Sequence, residues 1–167
     1  PACLYVRGRL PAEDKPTVGI VGARSCSGYG RHVAWEYAKV FSSCGVQVVS
    51  GMALGIDGES HRGALQGRTP TFAVLGCGTD ICYPRGNRDL FEKIPLTGGL
   101  VSEYPQGAPP AGWHFPARNR LISGLADALL VGEAKKKSGS LITVDCALEQ
   151  GKTVFAVPGR VTDTLSE

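Results

Sequence analysis

No apolar run in this 167-residue chain is long enough to span a bilayer, and no basic, apolar and small-residue leader opens it. A cytoplasmic protein with no membrane partner is therefore expected. Cysteine pairs at CxxC spacing are also absent. The six cysteines, at 3, 26, 44, 77, 82 and 146, keep no metal-ligand rhythm with the three histidines, which argues for reduced thiols and no bound metal. There is no P-loop lysine behind a glycine loop and no GxSxG elbow, so neither nucleoside-triphosphate chemistry nor serine hydrolysis has its usual signature. A strong charge of either sign is missing too: the net charge is +3, so any basic footprint for nucleic acid must be local. Internal repeats and low-complexity tracts are absent. The chain begins at Pro1 rather than methionine, from which a piece of a longer protein is expected.

Hydrophobic residues at 43% and charged ones at 20% describe a globular domain with a full core. Six short apolar runs alternate with helical patterns: Thr17 to Val21, Val46 to Ser50, Thr71 to Leu75, Leu100 to Ser102, Ala128 to Val131 and Thr153 to Val157. The expected fold is α/β, Rossmann-like and doubly wound, with about six mostly parallel strands and helices on both faces. Residues 1–16 read as a lead-in packing on the sheet, 17–159 as the core and 160–167 as a tail towards a further C-terminal domain. Between the strands, helices are expected after Gly28, with Val33, Ala34, Tyr37, Ala38 and Phe41 on one face, from Asp57 as N-cap, from Asn87 to Ile94, from Pro116 to Leu125, and through Leu141, Val144, Ala147 and Leu148.

The first strand runs into Gly22-Ala23-Arg24-Ser25-Cys26-Ser27-Gly28-Tyr29-Gly30, a polar loop before a helix. In a doubly wound sheet this turn lies at the carboxyl ends of the strands, where a helix start offers N–H groups to an anion. The glycine spacing is not that of the dinucleotide fingerprint, and Arg24 projects where that fingerprint keeps the backbone bare. Other glycine-bearing loops follow the second, third and fifth strands. Their shared edge collects Gly22, Arg24, Ser25, Ser50, Gly51, Gly76, Gly78, Ser138, Gly139 and Ser140 around one crevice suited to phosphates.

Trp113-His114-Phe115-Pro116-Ala117-Arg118-Asn119-Arg120 sets aromatic rings beside arginines, the pairing a single-stranded nucleic acid uses for stacking and phosphate contact. Arg118 and Arg120, two apart, point in different directions on a helix: one faces phosphate and the other pairs internally, with Asp57 or Glu103. Tyr83-Pro84-Arg85 has the same flavour, although a solvated turn explains it equally well, as a solvated loop explains Lys135 to Lys137. For Asp57 and His61, capping and packing are favoured over an acid/base or metal pair, because no third ligand or nucleophile stands at a matching position.

Together VGARSCSGYG (21–30), SGMALGID (50–57) with His61, VLGCGTDICYPRGN (74–87), SEYPQGAPPAGWHFPARNRLISGLA (102–126) and SGSLITVDCALEQGKTVFAVPG (138–159) resemble the Rossmann-like core of the DNA-processing protein A family, DprA/Smf. The resemblance runs from about Leu4 to Gly159. It implies a non-enzymatic protein of natural transformation and recombination that binds and shields incoming single-stranded DNA, helps load the RecA recombinase, works as a homodimer and needs no cofactor. By position it implies DNA-binding roles for Arg24 in the first loop, Phe115 beside the DNA pocket, Arg118, Asn119 and Arg120 in the RNR signature, and Arg85 after Tyr-Pro. Two departures are visible: Ala23 replaces a common serine or threonine, and Gly112 stands where several relatives carry a basic residue. Competing readings are a nucleotide-binding or partner-recruiting module without DNA affinity and a nucleotide N-glycosidic hydrolase of a related Rossmann-like family. In the latter, aligning Gly139 to Thr143 with its glycine loop puts Cys146 where that chemistry needs a glutamate.

Overall fold

A computed structural model describes residues 1–134 and 138–159. Seven strands form one sheet: β1 (Tyr5–Gly8), β2 (Thr17–Val21), β3 (Gln47–Ser50), β4 (Thr71–Val74), β5 (Gly99–Ser102), β6 (Ala128–Val131) and β7 (Thr153–Ala156). Their order is β1-β5-β4-β3-β2-β6-β7. All neighbours pair in parallel except β1, which runs antiparallel to β5 with Tyr5 opposite Ser102. The lead-in segment thus supplies a seventh strand beside the six apolar runs read from the sequence. Its residues are exposed, so no buried apolar alternation announces it.

Five helices complete the domain: α1 (Gly28–Ser43), α2 (Ile56–Ala64), α3 (Arg88–Thr97), α4 (His114–Leu125) and α5 (Ser140–Glu149). Period-two alternation in the strands divides the core between the two faces. Val18, Ile20 and Val48 pack against Ala34 and Ala38 of α1 and Ile56 and Ala64 of α2, whereas Val49, Phe72 and Val74 pack against Leu121 and Ile122 of α4. Ala73 and Leu100 meet Leu90 and Ile94 of α3, on the α1 side. The buried stripe of α1 is Gly30, Ala34, Ala38 and Ser42, so Tyr37, expected in the core, stands at its edge and is exposed. Leu148 of α5 is likewise exposed, and Ala147 carries the packing. Among the described residues no helix is long and apolar enough to cross a membrane.

The chain turns direction at β2. From there β3, β4 and β5 build one way and β6 and β7 the other, which leaves a crevice beyond the carboxyl ends of β2 and β6. His61, on α2, is a packing residue: it is fully buried, with Nδ1 2.7 Å from the Thr71 hydroxyl.

Candidate nucleic-acid interface

The loop after β2 is held at both ends. Ala23 N–H donates to the Glu133 carbonyl at 2.6 Å, and the Ala23 carbonyl accepts from Ile56 N–H at 3.2 Å. A Cβ on Gly22 would lie 2.6 Å from Ile56 Cγ1, so glycine is what lets this loop sit down on α2. With both Gly22 and Ala23 pinned inward, Arg24 and Ser25 stand out to solvent.

The start of α1 is not the open anion site that strand-loop-helix geometry suggests. Ser27 caps it by accepting from Gly30 N–H at 3.0 Å, and Ser27 in turn donates its own N–H and hydroxyl to Glu133 Oε2. A Cβ on Gly30 would clash with the same carboxylate oxygen. The positive end of α1 is therefore already taken by a protein anion, which fills the space and repels a second one. At α5 no carboxylate among the described residues plays this part. Gly139 occupies the N-cap position without a side-chain cap, Ser138 accepts from Ser140 N–H through its hydroxyl at 3.4 Å and from Leu141 N–H through its carbonyl at 3.0 Å, and the Ser138 and Ser140 hydroxyls are 2.7 Å apart.

Between these two loops lies a cleft of about 530 Å³, lined by Gly22, Arg24, Ser25, Phe115, Arg118, Asn119, Ser138, Gly139 and Ser140 among others. A smaller one of about 80 Å³ shares Arg24, Phe115 and Arg118 and adds Gly51, Gly76, Tyr83 and Pro84. Phe115 lines both. Its ring rests so close to Gly76 that a Cβ there would be 2.8 Å from Cδ1. Tyr83 packs with ring centroids 5.5 Å apart, and the Arg24 and Arg118 guanidinium carbons lie 5.5 and 5.7 Å from the Phe115 centroid. Both cations thus sit within cation–π range of one ring.

Arg118 forms the floor. It is 5% exposed, and its Nη1 donates to the carbonyls of Gly51 at 2.8 Å and Val74 at 2.5 Å. Its Nε donates to Asn119 Oδ1, and Asn119 Nδ2 donates to the Gly139 carbonyl, tying α4 to the loop that precedes α5. Burial pulls the Arg118 guanidinium below its ordinary value, while the negative charge of Asp57 opposes that shift. Asp57 is pushed up by its own burial, against the pull of Arg118 and of backbone N–H groups including that of Gly51. It is not the N-cap of α2. Gly55, at φ 76°, makes the entry, and the Asp57 carboxylate turns inward to accept from Gly51 N–H at 3.2 Å.

Four expected site residues fall outside this constellation. Ser50 is fully buried and spends its hydroxyl on the Ile20 carbonyl, so it stitches β3 to β2. Gly78 is turned towards Pro105 and Gly107, its N–H on the Ala108 carbonyl. Arg85 is exposed on a short 3-10 turn, Arg85–Asn87, and lines neither cleft. Arg120 is the internally paired member of the RNR triplet: Nη2 donates to both Glu103 oxygens at 2.6 Å. Lys135 to Lys137 lie outside the described residues. Glu133 is the residue that sequence reasoning missed, since no local pattern links it to Ser27, 106 positions away. Among the described residues no cluster of three or more His, Cys, Asp or Glu side chains could hold a metal.

The family model described as DNA recombination-mediator protein A matches residues 1–167. The chain belongs to this family. Protein Smf of Escherichia coli is 44% identical over 168 residues, covering 100% of this chain and 45% of that protein. The crystal structure of DNA processing protein A from Streptococcus pneumoniae superposes with a TM-score of 0.91 at 42% identity, over 98% of this chain and 58% of that one. DNA processing protein A from Helicobacter pylori, whose structure is described for its single-stranded DNA binding mode, has a TM-score of 0.88 at 32% identity, over 96% of this chain and 74% of that one. The chain spans about half the length of the curated DprA and Smf relatives it matches.

Proposed function

We propose that this chain is the single-stranded DNA-binding core of a recombination-mediator protein, gripping one strand along the carboxyl edge of the sheet. The observation that carries this reading is Phe115, which lines both clefts with the Arg24 and Arg118 guanidinium groups within 6 Å of its ring. A ring stacks on any base, and an exposed arginine at its margin meets the phosphate that follows, which gives affinity without sequence readout. Phosphate contacts fall to Arg24 and to the start of α5 at Ser138, Gly139 and Ser140, where the N-cap glycine has no side chain to cap the helix, since Glu133 closes the start of α1. Asn119 positions the Gly139 loop, and Arg118 holds the floor rigid. Gly22, Gly51 and Gly76 let the backbone pack directly on Ile56, on Asp57 and Arg118, and on Phe115, which holds the walls and floor of the clefts in place.

The site binds and does no covalent chemistry, and it needs no cofactor. In the cytoplasm the same grip shields incoming strands during transformation and recombination and presents them for RecA loading, by a homodimer. Fluorescence anisotropy of labelled oligo-dT, titrated at two salt concentrations with duplex DNA as competitor, tests the core of this reading. Salt-weakened binding that prefers the single strand is expected, with a slope near −0.7 per phosphate neutralised. Binding insensitive to salt, or equal for duplex, would remove the crevice from the mechanism.

A further inference from the structure

Just outside the cleft stands Trp113, three-quarters exposed, in the turn that opens α4. A lone exposed aromatic is ordinary on a protein surface, but this one is held. It meets His114 edge-on, with centroids 5.2 Å apart at 84°. His114 is itself fixed twice. It stacks on Tyr104 at 3.7 Å and 20°, and its Nδ1–H donates to the Gly76 carbonyl at 2.9 Å. Tyr104 is anchored in turn through its N–H to the Ser102 hydroxyl, which donates to the Cys77 carbonyl. A chain of contacts therefore runs from the carboxyl ends of β4 and β5 out to the indole. Gly112 and Phe115, on either side of Trp113 and His114 in sequence, both line the larger cleft, so the turn that carries Trp113 borders it.

Resting on the DNA-binding reading above, we infer that Trp113 is a second stacking platform, taking the base next along the strand from the one at Phe115. A ring already ordered in the free protein stacks without the entropy cost of fixing a mobile side chain, and stacking accepts any base. No phosphate contact is involved. The platform adds affinity while leaving the salt dependence untouched, which separates it from the arginines.

The chain has two tryptophans, and Trp35 on α1 lies under the Lys39 ammonium at 4.9 Å from its ring centroid, away from the cleft. Trp35→Phe therefore gives a background in which emission reports Trp113. Oligo-dT should quench that emission, and an abasic oligonucleotide of equal length should leave it nearly unchanged. Trp113→Ala should weaken oligo-dT binding about tenfold with the salt slope unaltered, and Trp113→Phe should restore most of it. Wild-type affinity in Trp113→Ala, or equal quenching by the abasic strand, overturns the platform while leaving the binding reading in place. No binding by the unaltered chain overturns both.

Discussion

Glu133 Oε2 accepts hydrogen bonds from both the N–H and the hydroxyl of Ser27, at 2.9 and 3.0 Å, and so closes the positive end of α1 from within. One carboxylate from the end of β6 does two things there. It satisfies the start of a 16-residue helix, and it denies that start to a phosphate. The start of α5, with glycine at its N-cap, has no such carboxylate bonded to it among the described residues.

Removing the carboxylate should therefore be felt as a lost helix cap. Glu133→Ala is expected to cost about 2 kcal/mol of stability. Glu133→Gln should cost less, because the amide oxygen still accepts from Ser27. Urea unfolding of the two variants against the parent checks the ranking. An alanine variant as stable as the parent would show that Ser27 alone suffices as the cap.

The three arginines of the site region should separate cleanly. Arg24, exposed at the junction of both clefts, is the phosphate-facing charge. Arg24→Ala is expected to weaken oligo-dT binding about tenfold and to reduce the salt slope by about 0.7. Arg120 is neutralised by Glu103, and Arg120→Ala should lose much less affinity and keep the slope. Arg118 is structural as well as electrostatic: Arg118→Ala strands the Gly51 and Val74 carbonyls and should cost about 3 kcal/mol of stability. Titrations at several salt concentrations, paired with denaturation curves, distinguish these outcomes. An Arg120 variant as weak as the Arg24 variant would contradict the pairing.

Two glycines of the crevice make a matched test of close approach. A Cβ at Gly51 would lie 2.7 Å from Asp57 Oδ2 and 2.9 Å from Arg118 Cζ, both fixed by hydrogen bonds, whereas a Cβ at Gly139 meets nothing within 4 Å. Gly51→Ala is expected to destabilise by at least about 2 kcal/mol, and Gly139→Ala to stay within about 0.5 kcal/mol of the parent. Thermal unfolding of both proteins decides it. Equal destabilisation would mean that the floor around Arg118 is soft.

Much of this was legible in the sequence, for a physical reason. Strands buried on both faces read as continuous apolar runs, and Ala128 to Val131 is delimited as observed because all four residues are apolar between Asp127 and Gly132. β1 was not legible as a strand, since its Tyr5 and Val6 are exposed and its partner lies across the chain at Ser102 and Val101. Topology brought the right loops to one edge, but it does not say which way each residue turns. Ser50 and Gly78 face inward or aside while Arg24 faces out. The spacing of Arg118 and Arg120 required them to diverge, yet only the packing of α4 shows that Glu103 takes Arg120.

His61 gives the fold an acid limit whose sign can be worked through. Thr71 donates its hydroxyl hydrogen to the Val48 carbonyl at 2.9 Å, so the 2.7 Å contact requires His61 Nδ1–H to donate to Thr71, leaving Nε2 bare. Nε2 is buried with no partner among the described residues. Burial, with Arg62 and Arg118 nearby, lowers the imidazole to about 3 from an ordinary 6.5. The unfolded chain therefore takes up a proton below about pH 6.5 that the folded chain refuses until about pH 3, and stability falls as pH falls through that window. The contribution of this one group approaches about 1.4 kcal/mol per pH unit in the middle of the window. Urea unfolding at a series of pH values from 4 to 7 should show a steeper acid loss in the parent than in His61→Phe, which has no proton to bind. Parallel slopes in the two proteins would mean that the imidazole titrates alike in both states, and the buried, singly bonded ring would not be the group that sets the acid limit.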